Sequence, residues 1–112
     1  MSRRAGAEAE RRARLHYRVR GYRILATNAW AGGHEIDLVA RRGRRLVFCE
    51  VKSKAGTGLG EPEEMVDAEK QRRLRRAAGA WLAAHPELGG LEISLDVVVV
   101  RGGRVERIVD AF

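Results

Sequence analysis

Between positions 34 and 54 the chain reads HEIDLVARRGRRLVFCEVKSK, two runs rich in Ile, Val, Leu and Phe joined by a basic turn with one glycine. This commits the stretch to a β-hairpin, since β-branched and aromatic side chains suit a pleated, half-buried surface and glycine relieves the turn. Three residues break the pattern of a buried strand: Asp37 in the first run, and Glu50 and Lys52 in the second. A charge removed from water is costly unless it is paired or holds a metal. These three are therefore the first candidate functional residues.

Strand side chains alternate between faces, so Glu50 and Lys52 share a face while Cys49 and Val51 point the other way. A turn centred on Arg42-Gly43 sets Asp37 opposite Phe48 and diagonal to Glu50, roughly 7 Å or less between Cβ atoms. A one-residue slip would send Asp37 to the wrong face. Two convergent carboxylates suit a hard cation, Mg²⁺ or Mn²⁺, with the Val51 carbonyl as a further oxygen ligand. Such an ion polarises a phosphodiester and acidifies bound water, and Lys52 would orient or deprotonate that water or neutralise charge on the phosphate. The competing reading is a structural ion pair between Lys52 and the two acids at a sheet end.

The rest of the chain supplies the other elements. Residues 5–19 hold good helix formers, with Gly6, Ala9 or Glu10, Ala13, and His16 or Tyr17 at three- and four-residue steps along one face. Gly21 stops that helix, 22–27 is a short strand, and 28–33, with paired glycines, is a loop. Strands are expected over 35–40 and 45–52, followed by a glycine-rich surface loop at 54–60. Pro62, with Glu61, Glu63 and Glu64 at the positive end of its dipole, opens a helix running to about 84. Val66, Leu74, Ala77, Ala78, Trp81 and Leu82 form its inward face, and Arg72, Arg73 and Arg76 gather on another side. A β-branched strand over 93–100 pairs with 104–109 across Gly102-Gly103. The expected class is α/β, one domain over 1–112, in the order αβββαββ.

Charge narrows the partners. Twenty-two Lys and Arg against fifteen Asp and Glu give +7, and the pI is near 10.7. Such a surface attracts polyanions, nucleic acid first and an anionic membrane surface second. Arginine predominates, and its planar fork pairs with phosphate in a bidentate way. Lys54, Arg72, Arg73, Arg76 and His34 are the candidate nucleic-acid contacts, against the plainer reading of a solvated basic face. The lone Cys49 lacks an internal disulfide partner, and the N-terminal residues have charges without an apolar core. No run approaches a membrane span. A cytoplasmic protein with no membrane partner is expected.

The arrangement Ile36-Asp37 with Glu50-Val51-Lys52 resembles the PD-(D/E)XK nuclease superfamily. A longer set of residues resembles the YraN family of small bacterial proteins: Gly6, Ala9-Glu10, Ala13, Gly21-Tyr22-Arg23-Ile24-Leu25, Asn28, Glu35 to Val39, Val47 to Lys52, Gly60, Val66, Lys70, Asp96-Val97-Val98 and Ala111-Phe112. The superfamily resemblance implies a restriction-endonuclease-like α/β core, a mixed sheet flanked by helices, and divalent-metal-dependent cleavage of DNA. Archaeal Holliday junction resolvases look most similar, sharing a glutamate on the first helix, which implies branched DNA. A domain this small would contact little more than one arm of a junction, so a homodimer is expected if junctions are the target. By the same resemblance Glu10 is a helix-borne acid of the site, Asp37 and Glu50 hold the metal and Lys52 is the catalytic base. On local grounds Glu10 would instead pair with Arg14 on the helix surface. His34, Ala9 and Lys54 depart from the family pattern, where glycine, glycine and arginine are usual. The alternative function is a nucleic-acid-binding protein on a nuclease fold that supports DNA processing or repair without cutting.

Glu35 shares a face with Asp37 by alternation and is a further candidate. Trp30 either stacks on an unpaired base or anchors its loop, and Cys49 is read as a core thiol.

Overall fold

The computed structural model describes residues 3–54 and 67–112. Helix α1 spans Arg3–Val19, strands β1 to β3 span Arg23–Ala31, His34–Arg42 and Arg45–Lys54, helix α2 spans Ala68–Ala83, and β4 and β5 span Glu92–Arg101 and Arg104–Ile108. The order αβββαββ is as expected. The five strands lie in sequence order, β1-β2-β3-β4-β5. All neighbours are antiparallel except β3 and β4. That parallel step needs a crossover, and α2 lies on it. The sheet is therefore mixed, with a helix against each face.

Local patterning explains both faces. The stripe expected on α1 is the one buried: Ala9, Ala13 and Tyr17 pack on Leu38, Ala40, Val47, Cys49, Val98 and Val100. Leu74, Ala77, Ala78 and Trp81 of α2 cover Ile36, Val39, Leu46, Phe48 and Leu95 on the other side. Trp81 meets Phe48 edge-on, ring centroids 5.6 Å apart. Burial of the Cys49 thiol pushes its pKa well up, which suits a core residue rather than a nucleophile.

Four expectations need correction. Positions 28–31 are not loop: β1 continues to Ala31, with Ala29, Trp30 and Ala31 facing Ile36, Glu35 and His34. Asn28 adopts φ 50°, a left-handed conformation that asparagine tolerates, and this kink hides the strand pattern. The turn is only Gly32-Gly33. Second, the β2–β3 turn centres on Gly43-Arg44, since Arg42 faces Arg45. Third, the second helix does not run through from 62: Asp67 is extended, and its carboxylate accepts the Lys70 N–H at 2.9 Å as an N-cap. Pro62, the three glutamates, Val66 and the loop glycines, Gly60 included, fall outside the described residues. Fourth, Lys54 ends β3 rather than opening a loop.

The Gly32-Gly33 turn leans on α2. At Gly32, φ is 58° and an added Cβ would sit 3.0 Å from the Arg76 carbonyl oxygen and 3.2 Å from the Ala77 Cα. Both obstacles are backbone and cannot swing away. Gly32→Ala is expected to lower stability by about 2 kcal/mol or more in urea unfolding, from left-handed strain plus the clash. Gly33→Ala, with φ 77° but nothing within 4 Å, should cost about half as much.

A buried polar cluster ties α1 to β4 and β5. Asp96 on β4, fully buried, accepts from Tyr17 Oη (2.8 Å), Ser94 Oγ (2.6 Å), Arg107 Nε (2.9 Å) and the Asp110 N–H (3.0 Å). The Arg107 guanidinium also lies 4.7 and 5.2 Å from the Tyr17 and Tyr22 ring centroids. Burial, with Asp96 adjacent, raises the Tyr17 pKa and keeps its phenol a donor. This cluster helps set how α1, and Glu10 on it, meets the sheet.

Candidate active site

Asp37 stands where β2 breaks its alternation. Ile36 packs on the α2 side and Leu38 on the α1 side, though residues two apart belong on one face of a regular strand. The break falls opposite kinked Asn28. Asp37 Oδ2 accepts the Val51 N–H at 2.8 Å, just beyond Leu38–Cys49, the last backbone pair of β2 with β3. A carboxylate thus replaces a ladder carbonyl.

The corrected turn changes who faces whom. Continuing the register one step past Leu38–Cys49 sets Asp37 directly across from Glu50, not opposite Phe48. The shift from the expected register is two residues, so Asp37 keeps its side while its partner changes. Glu50 is largely buried between Lys52 and His34: Lys52 Nζ lies 3.7 Å from Oε2, and His34 Nε2 3.9 Å from Oε1. His34 was a candidate phosphate contact in a loop. It is instead the first residue of β2, and its buried Nε2 has no hydrogen-bond partner among the described residues.

Electrostatics single out Asp37. Burial first, then the charge on Glu50, with smaller contributions from Glu10 and Glu35, pushes its pKa up to about 7 against the pull of the Val51 N–H. Among the described residues no cation pairs with it, and no group of three or more His, Cys, Asp and Glu able to hold a metal forms. Glu10 has turned away from Arg14 and accepts from Asn28 Nδ2 at 3.3 Å, in the kink beside Asp37. Glu35 is exposed and acts on Asp37 only through its charge.

Lys70 was missed. It lies in the first turn of α2, and contact with Lys52, then partial burial, holds its pKa below the usual lysine range while Glu50 pulls the other way. The side chains of Lys52 and Lys70 therefore stand together beside Glu50. The advance signals were its place among the residues that resemble the YraN family and its position three residues after Asp67, and neither says anything of Lys52.

The basic helix face is present but partly neutralised. Arg72 and Arg73 both bind Glu69, at 2.8 and 3.1 Å, pairs worth little in water. Arg76 is exposed, and Trp30 is 74 % exposed at the hairpin end. No helix among the described residues is long and apolar enough to cross a membrane.

The family described as Uncharacterised protein family UPF0102 matches residues 9–100. The chain belongs to the UPF0102 family. This is the YraN family, so the likeness read from the motifs holds at that level. UPF0102 proteins similar to it include one from Methylorubrum extorquens, 44% identical over 102 residues, covering 91% of this chain and 78% of the relative. Another, from Chlorobaculum tepidum, is 37% identical over 116 residues (96% and 90% covered). A third, from Symbiobacterium thermophilum, is 48% identical over 83 residues (74% and 70%). The UPF0102 match takes in Glu10, Asp37, Glu50, Lys52, Lys70 and Asp96. It carries no activity in its description, so the chemistry rests on the residues themselves.

Proposed function

We propose that this UPF0102 protein is a divalent-metal-dependent endonuclease that hydrolyses phosphodiesters in DNA, with branched DNA as the favoured substrate. The observation that carries the reading is the placement of Asp37 and Glu50 across neighbouring strands at the end of the β2–β3 ladder, with Lys52 beside Glu50. The likeness of that arrangement to the PD-(D/E)XK nucleases supports it.

The residues fit a hard cation. Asp37 and Glu50 offer carboxylate oxygens, and Asp37 carries a charge that no described cation offsets. The Val51 N–H and C=O leave the strand on the same edge, so the Val51 carbonyl opens toward Asp37. Mg²⁺ or Mn²⁺, held by Asp37, Glu50 and Val51, would supply Lewis acidity toward the phosphate and a more acidic water. Lys52 would take one of two roles: as an ammonium it would neutralise charge gathering on the phosphate, and as a free amine it would accept the proton of the attacking water. Lys70 stands beside it, its own pKa held down by the contact. Glu10, reaching the same place from α1, adds negative charge on the far side of Asp37. His34 orients Glu50 through its near-contact with Oε1, and Lys54, Arg72, Arg73 and Arg76 provide charge for the DNA backbone. The described residues of one chain supply one such centre, so paired cuts at a junction call for a homodimer. A cytoplasmic enzyme meets its DNA there.

The test is incubation with linear, single-stranded and four-way-junction DNA in Mg²⁺ or Mn²⁺, then in chelator, beside Glu50→Ala and Lys52→Ala. Metal-dependent cutting reduced about 100-fold or more by each substitution is expected. Binding without cutting by the wild type would instead support a non-catalytic DNA-binding role, and cutting unchanged in both variants would point to a contaminant.

A further inference from the structure

A second concave site lies away from the acids. A cleft of about 620 Å³ is lined by Arg23 of β1, Arg41 and Arg42 of β2, and Leu25, Trp81 and His85. Arg41 is four residues along β2 from Asp37, about 13 Å of strand. The volume is within the range of small-molecule pockets.

Its charge is unusual for a strand pair. Arg23 and Arg41 are direct register partners, and like charges facing each other across antiparallel strands destabilise the pair. Among the described residues none of the three arginines is ion-paired. Glu87 also lines the cleft, leaving an excess of two positive charges over these four side chains. Two guanidinium groups are held in place by backbone: Arg41 Nε donates to the Gly43 carbonyl at 2.9 Å, and Arg42 Nη1 to the Arg20 carbonyl at 2.9 Å. Arg42 also lies 4.7 Å from the Tyr22 ring centroid. Their remaining N–H groups are pre-oriented, which limits the entropy lost on binding an anion.

The opposite wall is flat. His85 stacks on Trp81 with centroids 3.8 Å apart and planes 16° apart. Its Nδ1 contacts the Trp81 carbonyl oxygen at 2.7 Å, which fixes the ring. Leu25 adds apolar surface.

We infer that this cleft binds one nucleotide unit, its phosphate on Arg23 and Arg41 and its base against His85 and Leu25. A phosphate removes the repulsion between the paired arginines, and every base offers a π-face to an aromatic wall. The unit can come from a free mononucleotide or from the unpaired end of a DNA strand. The site does not depend on cleavage chemistry.

The test uses the full-length Glu50→Ala protein in chelator, so that loss of cutting and loss of this site are read separately. Calorimetry would follow deoxyadenosine monophosphate, deoxyadenosine, a blunt duplex and the same duplex with a short adenine overhang. The monophosphate is expected to bind at least about tenfold more tightly than the nucleoside, and Arg23→Ala/Arg41→Ala to weaken it by a similar factor. Arg41→Gln, which removes the charge but keeps a polar side chain and leaves Arg23 in place, should weaken it less and serves if the double variant fails to fold. If only the overhang duplex binds in an arginine-dependent way, a strand end is the ligand. Equal binding of blunt and overhang duplexes with none of the mononucleotide would overturn the inference, as would monophosphate binding indifferent to the arginines.

Discussion

Asp37→Asn is expected to make the protein more stable and inactive at once. Folding lifts the Asp37 pKa from an ordinary 3.8 to about 7. The folded state therefore holds this proton more tightly than the unfolded chain. The stability this gives is fully present below pH ~4, and it is lost as the pH rises toward and through 7. At pH 8 both states are ionised, and a gap of about three between the folded and unfolded pKa values is worth at most about 4 kcal/mol. Asparagine keeps an oxygen for the Val51 N–H and carries no charge, so a gain of about 2 kcal/mol at pH 8 is expected in chelator, shrinking toward zero near pH 4. Cleavage should fall by at least about 100-fold. Added Mg²⁺ should raise the melting temperature of the wild type and leave Asp37→Asn unmoved, because a ligand stabilises only a fold that binds it. Asp37→Asn melting no higher than the wild type at pH 8 would remove the electrostatic account of the site.

Asp96→Ala is the largest expected loss of stability. It deletes the acceptor for four donors, one of them the guanidinium of Arg107, only 12 % exposed. Breaking a buried pair from one side leaves an uncompensated charge and costs about 3–5 kcal/mol. Urea unfolding measures it, and a cost below about 1 kcal/mol would show that water satisfies the donors. Asp96→Leu combined with Arg107→Met should recover part of the loss, since an apolar replacement of both partners strands neither charge. Cleavage by Asp96→Ala protein that stays folded should also fall, because Tyr17 and Glu10 share α1.

The element order and both buried helix stripes were legible from periodicity. Ala9, Ala13 and Tyr17 recur every four residues, and Leu74, Ala77, Ala78 and Trp81 at three- and four-residue steps. Where conformation departed from the local average, legibility failed. Asn28 reads as a loop residue but makes a kink inside β1, and Asp67 is extended where composition presents continuous helix. Asp96 sits in a run of β-branched residues that reads as plain core strand, and its donors come from four separate positions, Tyr17, Ser94, Arg107 and Asp110. Nothing near it in the chain announces Tyr17.

For the site, the sequence by itself determined that Asp37, Glu50 and Lys52 belong to one hairpin and that Glu50 and Lys52 share a face, because strand alternation is a property of neighbours along the chain. Only the tertiary structure decided that Asp37 faces Glu50 rather than Phe48, that His34 and Lys70 close on Glu50 and Lys52, and that Arg23 meets Arg41 across a cleft. Those relations depend on the centre of one two-residue turn, a break in alternation opposite Asn28, and the α2 crossover. Each joins residues far apart in sequence, and local preference carries no record of such pairings.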